Sequence, residues 1–175
     1  QLQKARVVLA DANIPAESLQ YLAENCTAPL FVDPVSTVKA EKLRPILGKI
    51  HTLKPNKLEA ELLSGIPIRN EEDLEMAADK LLSTGLRRIF ISLGADGVYA
   101  ASHDSSVWMK NIPGQMVNTT GCGDAFMAAL VWAYLQGSDL EQMARAGLAA
   151  GSIAMESGET INPLMSAPAL RARMG

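Results

Sequence analysis

The sequence has few of the side chains that build metal and redox sites. Its 175 residues include two cysteines and two histidines. Neither Cys26 and Cys122 nor His51 and His103 stand at the spacing of metal ligands. The cysteines fit a reducing, cytosolic compartment, and Cys122, near a predicted helix start, is a candidate reactive thiol.

Long apolar runs and an excess of positive charge are also lacking. No run approaches the ~18 apolar residues of a membrane span. The formal net charge of −3 argues against a general nucleic-acid binder. The first residues form no signal peptide and include no Met, so we expect the chain to begin inside a longer protein. The 48% apolar fraction is enough for a core, and the length suits one domain.

Short apolar runs alternate with amphipathic segments, which predicts a layered α/β fold. The predicted strands are residues 7–10, 30–32, 50–53, 88–92, 98–101 and 107–110. The predicted helices are residues 17–25, 39–47, 57–64, 71–83, 123–136, 140–155 and 168–173. Short links between strands and helices favour parallel strands with right-handed crossovers.

Polar residues gather where ligands bind in such sheets, beyond the C-terminal ends of the strands. They are Asp11, Asp33, residues 54–56 and residues 94–97, which follow the first four predicted strands.

The most informative segment is residues 118–131, which read NTTGCGDAFMAALV. Gly121 and Gly123 let the backbone approach a ligand. The predicted helix start that follows offers free N–H groups and the positive end of a helix dipole to an anion. A carboxylate beside a bound phosphate is costly unless it has a task, such as accepting a proton from an attacking hydroxyl. Asp124 therefore points to phosphoryl transfer from a nucleotide to an alcohol. The structural alternative is a glycine turn with Asp124 as an N-cap or first-turn acid.

A second cluster surrounds Asn56. Asn56 followed by Glu59 resembles a capping box at a helix start. The same placement would let Glu59 hold water around a magnesium ion, while Lys54 offers a cation to phosphates.

The third cluster is residues 92–97, which follow an apolar strand. They are either a tight turn or a glycine-lined contact with phosphate or ribose.

In this order the three clusters resemble the ribokinase-like (PfkB) family of carbohydrate and nucleoside kinases. Residues 118–131 resemble its D-T-T-G-A-G-D-A-F signature, residues 55–59 its P-N-x-x-E motif, and residues 92–97 its S/T-L-G-x-x-G segment. Residues 32–36 and 50–61 are most similar to bacterial pseudouridine kinases within the family. The resemblance covers essentially the whole chain, but only the C-terminal half to two-thirds of the family's usual length.

The resemblance implies a ribokinase-like three-layer α/β/α fold with a mostly parallel central sheet. Residues 1–175 would be the C-terminal, ATP-binding and catalytic portion of one domain, without the N-terminal strands and the β lid. The implied activity is ATP- and Mg²⁺-dependent transfer of the γ-phosphate to a sugar hydroxyl. The leading candidate for that acceptor is the 5′-hydroxyl of pseudouridine. Alternatives are ribose, a fructose phosphate or a ketodeoxy sugar acid. The resemblance also implies a cytoplasmic protein with a small-molecule substrate, and leaves open a homodimer of the full-length protein.

The resemblance also implies catalytic roles. Asp124 matches the catalytic base, and Gly121, Cys122 and Gly123 match the anion hole for the moving phosphate. Asn118 stands where many members carry Asp, which puts activation by a monovalent cation in doubt.

Further matches concern the metal and the nucleotide. Asn56 and Glu59 match the motif that organises magnesium and the phosphates. The matched nucleotide contacts are Lys54, Ser92, Gly94 and Gly97, and the matched adenine-pocket residues are Leu148 and Ser152.

Two other classes stay open beside this assignment. One is a nucleotide-binding module that turns over poorly or not at all, because the sugar-binding segments of the family are not found in these residues. The other is a Rossmann-type oxidoreductase, which no dinucleotide fingerprint supports.

Overall fold

The computed structural model describes residues 4–175, which divide into two compact units. Among these residues the first unit runs to Leu93 and also includes Tyr99–Val107. The second unit comprises Gly94–Val98 and Trp108–Gly175. None of the described helices is long and apolar enough to cross a membrane.

Six strands form one sheet in the order of the sequence. They are β1 Val8–Asp11, β2 Leu30–Asp33, β3 Thr52–Leu53, β4 Arg88–Ser92, β5 Val98–Ser102 and β6 Ser106–Met109. The pairs from β1 to β4 are parallel, with Leu9 opposite Phe31 and Leu53 opposite Ile89. Only residues 103–105 separate β5 from β6. A link this short can join antiparallel strands but not parallel ones, so β5 and β6 form a hairpin. The predicted α/β class with a mostly parallel sheet is confirmed.

The helices of the first unit cover a buried sheet. They are α1 Ala16–Asn25, α2 Thr37–Ala40, α3 Lys57–Ser64 and α4 Glu71–Leu82. Leu30 and Val32 of β2 join the main core cluster with Leu19 of α1 and Leu74 of α4. Phe31, between them in sequence, is also fully buried, as expected for a parallel strand covered on both faces.

The predicted helix over residues 39–47 is wrong in its type. The chain leaves α2 at Ala40 and continues as a 3₁₀ helix over Glu41–Lys49. Pro45 lies inside that segment. Its ring removes an N–H donor and clashes with the preceding turn of an α-helix, so the chain adopts tighter turns there.

The second unit contains α5 Cys122–Leu135, α6 Leu140–Met155 and α7 Ala167–Met174. A capping box between Asp139 and Gln142 starts α6. Gly147 of α6 lies against the ring of Phe126 of α5, where a Cβ atom would collide with the ring. A glycine at this position therefore permits the close approach of the two helices.

Candidate functional site

Several of the predicted site residues lie together in the first unit, at the ends of neighbouring parallel strands. We call Asp33, Lys54, Asn56, Glu59 and Ser92 the strand-end cluster. Asp33 ends β2, Lys54 follows β3, and Ser92 ends β4 and forms a parallel bridge with Asn56. Parallel strands bring their carboxyl ends to one edge of the sheet, which explains why separate motifs meet there.

Asn56 and Glu59 form the capping box predicted for the start of α3. The Glu59 N–H donates to Asn56 Oδ1 at 2.9 Å, and the Asn56 N–H donates to Glu59 Oε2 at 2.9 Å. Burial raises the pKa of Glu59, whereas the Asn56 N–H and the Lys54 charge lower it and Asp33 raises it further. The structural interpretation is thus confirmed, and it leaves a buried carboxyl group beside a cation.

Lys54 is held by Asp33 within the same cluster. The Lys54 Nζ atom lies 3.0 Å from Asp33 Oδ2, and the two side chains are 8% and 15% exposed. Asp33 Oδ1 also accepts the Val35 N–H at 2.9 Å. Val35 has a φ of 67°, which is unusual for a β-branched residue. Asp33 is therefore fixed from two sides, and Lys54 with it.

The oxygen ligands of the strand-end cluster suit magnesium better than a metal ion that protein side chains coordinate completely. Within residues 4–175 no three His, Cys, Asp or Glu side chains converge as a metal site. Magnesium usually keeps several waters and binds one or two carboxylates plus phosphates. The carboxylate of Glu59, beside the amide of Asn56, fits that mode of binding, whereas both oxygens of Asp33 are already engaged by Lys54 and Val35.

The second unit presents the predicted helix start at α5. Gly121 is the N-cap residue before Cys122, the first helical residue, and has no side chain with which to cap the helix. Gly123 and Asp124 are exposed in the first turn. Among the described residues, no backbone carbonyl accepts the N–H of Gly123 or Asp124, so these donors and the helix dipole can meet an anion.

Gly121 serves the fold itself. Its φ is 84°, and a Cβ atom there would collide with the carbonyl oxygen of Thr160. Gly121 was predicted to make room for a ligand. Its close neighbour in the structure is the chain's own backbone.

Cys122 and Asn118 make contacts within the second unit. The Cys122 Sγ atom donates to the Gly151 carbonyl at 3.6 Å, and burial raises the thiol pKa. The structure thus argues against the predicted reactive thiol, because a thiolate is the nucleophile. Asn118 accepts the Thr120 N–H and donates to the Gly158 carbonyl.

The glycines of the third cluster lie in a tight turn of the second unit. Gly94 has a φ of 62° and Gly97 a φ of 92°. Asn111 donates to the Gly94 carbonyl at 2.7 Å. A Cβ atom at Gly97 would collide with the Met109 carbonyl. The turn interpretation accounts for both glycines.

The predicted adenine-pocket residues lie on α6. Leu148 and Ser152 are 6% and 2% exposed. The Ser152 hydroxyl accepts from Arg173 Nη1 at 2.6 Å and donates to the Pro113 carbonyl at 3.4 Å. Arg173 was not predicted as a site residue, because no motif distinguishes it. Asp33 was predicted at a strand end, but its pairing with Lys54 was not.

Comparison with known proteins places these features in a family. The model of the pfkB family carbohydrate kinases matches residues 3–167. The chain is 41% identical to the pseudouridine kinase of Escherichia coli (strain K12) over 167 residues, which is 94% of this chain and 53% of that protein. The chain thus spans about half the length of the relatives that it matches.

Solved structures agree with the fold. A crystal structure of a Clostridium perfringens protein described as a sugar kinase has a TM-score of 0.94 and 31% identity, over 99% of this chain and 55% of that one. Arabidopsis thaliana ribokinase, complexed with ribose and ATP, has a TM-score of 0.86 and 24% identity, over 99% and 57%. The predicted ribokinase-like α/β/α fold class is confirmed.

Proposed function

This chain belongs to the pfkB family of carbohydrate kinases, and we propose that its protein transfers the γ-phosphate of ATP to the 5′-hydroxyl of pseudouridine. The observation that carries the kinase proposal is the uncapped start of α5, where Gly123 and Asp124 are exposed. The identity of 41% to a pseudouridine kinase supports the choice of acceptor.

In the proposed reaction the first turn of α5 binds the phosphoryl group. The N–H groups of Gly121, Gly123 and Asp124 stabilise its negative charge, together with a helix dipole worth roughly half a charge. The Cys122 N–H, also predicted for this role, donates to the Thr119 carbonyl instead. Asp124 accepts the proton of the sugar hydroxyl as that oxygen bonds to the γ-phosphorus. The bond from the γ-phosphorus to the bridging oxygen breaks, and ADP leaves. Such transfer depends chiefly on positioning and charge stabilisation.

The strand-end cluster would hold magnesium and contact the phosphates. Asn56 and Glu59 are the proposed magnesium-organising pair, and Lys54 and Ser92 are proposed nucleotide contacts. Magnesium neutralises phosphate charge when bound. Gly94, Gly97 and residues 148–152 are proposed for the remainder of the nucleotide.

The other parts of the proposal concern the setting of the reaction. Asn118 offers a neutral amide, already bonded to Thr120 and Gly158, so we expect little dependence on a monovalent cation. We propose a cytoplasmic enzyme with a small-molecule substrate. Sedimentation of the full-length protein tests whether it forms a homodimer.

A substrate panel with the full-length protein tests the proposal. Pseudouridine, ribose, fructose 6-phosphate and a ketodeoxy sugar acid would each be incubated with ATP and Mg²⁺, and ADP release and the phosphorylated product would be measured. The highest kcat/KM for pseudouridine is expected. A higher value for another sugar would reassign the acceptor within the family.

A nucleotide-binding module without turnover is the competing function. It would bind ATP in a calorimetric titration and release no ADP with any sugar of the panel. That outcome would overturn the kinase proposal.

A further inference from the structure

A partly buried ion pair joins the last two helices of the second unit. Arg173 of α7 forms a bidentate pair with Glu156, the residue after α6, at 2.8 and 2.9 Å. The two side chains are 28% and 30% exposed. Arg173 also donates to the buried Ser152 hydroxyl at 2.6 Å. Bidentate geometry and a shared network distinguish this pair from an ordinary surface ion pair.

The same network holds the segment that leads towards α5. Ser152 donates to the Pro113 carbonyl at 3.4 Å, and the Gln115 backbone bonds to the Glu156 carboxylate and helps to lower the Glu156 pKa, after the larger effect of Arg173. The N–H groups of Val117 and Asn118 donate to the Met155 carbonyl at 2.8 and 3.1 Å. Residues 113–118 contain no helix or strand, so these contacts set their position.

Gly114 shows how closely this segment fits. A Cβ atom there would lie 2.7 Å from Ser152 Oγ and 3.0 Å from Glu156 Oε1. The Gly114 φ is not in the left-handed region, so space rather than conformation excludes a side chain. The segment therefore rests directly on the two side chains that Arg173 holds.

Hydrogen bonds connect the end of this segment to the start of α5. Asn118 Oδ1 accepts the Thr120 N–H at 3.0 Å, and the Cys122 N–H donates to the Thr119 carbonyl at 3.3 Å. A displacement of residues 113–118 would thus move the first turn of α5. Misplacement by about 1 Å can cost about 10²-fold in rate.

We propose that Arg173 is a positioning residue, which acts through Glu156 and Ser152 to hold residues 113–118 and thereby the first turn of α5. The catalytic consequence rests on the proposed kinase function. The placement of the segment does not. The Ser152 hydroxyl is part of this support, so within residues 148–152 the proposed nucleotide contact falls on Leu148 rather than on that hydroxyl.

The test compares Arg173→Met with Arg145→Met in the full-length protein. Arg145 pairs with Glu141 on the exposed face of α6, so it is a matched control for loss of an Arg–Glu pair. Hydrogen exchange of peptides covering residues 113–124 should become about tenfold faster in Arg173→Met and should not change in Arg145→Met. Gly114→Ala, which retains Arg173, should accelerate exchange in the same peptides.

Kinetics provide the second measurement. Arg173→Met should lower kcat about 10- to 100-fold with less than about threefold change in the KM for ATP. Arg173→Lys should recover part of the loss, since lysine keeps the charge without the fork. If wild-type protein phosphorylates no sugar, the proposed function fails while the exchange data still decide the positioning role. Unchanged exchange in Arg173→Met, whatever Gly114→Ala shows, or faster exchange in Arg173→Met without a fall in kcat, would overturn the inference.

Discussion

The side chain of each of Asn56 and Glu59 accepts the backbone N–H of the other at the start of α3, and Glu59 is only 2% exposed. The cap uses Oε2 of Glu59, and the proposed magnesium role would be a second function of the same side chain. The two roles have different chemical requirements. A cap needs an acceptor oxygen, whereas magnesium favours a charged oxygen.

Glu59→Gln separates the cap from the metal role. Gln142 fills the same position in the capping box of α6, so the variant should keep its free energy of unfolding within about 1 kcal/mol. Turnover should fall about 10- to 100-fold, with a higher Mg²⁺ requirement. Urea unfolding and Mg²⁺ titrations of turnover are the measurements. Unaltered turnover would leave Glu59 with the cap alone.

Asp124→Asn tests the proposed base. Asparagine cannot accept the sugar proton, so kcat should fall about 10²- to 10⁴-fold while the Kd for ATP remains within about threefold. Glu141→Gln is the control, because Glu141 is likewise a first-turn acid in the second unit. That control should keep normal turnover. Near-normal kcat in Asp124→Asn would exclude Asp124 as the base.

Gly121→Ala measures the close approach at the helix start. Gly121 and Gly137 have φ values of 84° and 80°. A Cβ atom at Gly121 would meet the Thr160 carbonyl, whereas at Gly137 it would meet no atom of residues 4–175 within 4 Å. Gly137→Ala should cost about 1 kcal/mol for its backbone conformation. Gly121→Ala should cost more, by the added collision. Equal losses in urea unfolding would show that the loop around Thr160 yields freely.

His51 gives the stability a dependence on pH. Burial, then the charges of Arg88 and Arg87, lowers the His51 pKa from 6.5 to about 4. In the unfolded chain His51 therefore binds a proton near pH 6.5, whereas in the folded chain it does so only near pH 4. The stabilising contribution is present above pH 6.5 and is lost as the pH falls through that window.

His51→Phe should remove this dependence and keep a ring against Phe31, on which His51 stacks. Between pH 7.5 and pH 5, wild type should lose about 1–2 kcal/mol more than the variant. Urea unfolding at both pH values measures the difference. The opposite effect of Glu59, whose pKa is raised, is common to both proteins and cancels. Parallel losses would mean that His51 titrates normally in the folded state.

Much of the fold was predictable because the relevant signals are local. The prediction of α3 over residues 57–64, ended by Gly65, agrees with the structure, since capping groups and a left-handed glycine are read within a few residues. Helix α6 was predicted with the observed bounds. The start of α5 was likewise predictable from Gly121, Gly123 and Asp124.

The amino-acid sequence by itself determined where helix α3 is capped, which apolar segments form the strands and which motifs mark the family. Only the tertiary structure decided that Lys54 pairs with Asp33, that Gly121 lies against Thr160 and that Arg173 pairs with Glu156. The physical reason is the separation in sequence between the residues that interact. A cap depends on neighbours along the chain, whereas these contacts join residues far apart in sequence, and packing alone brings them together.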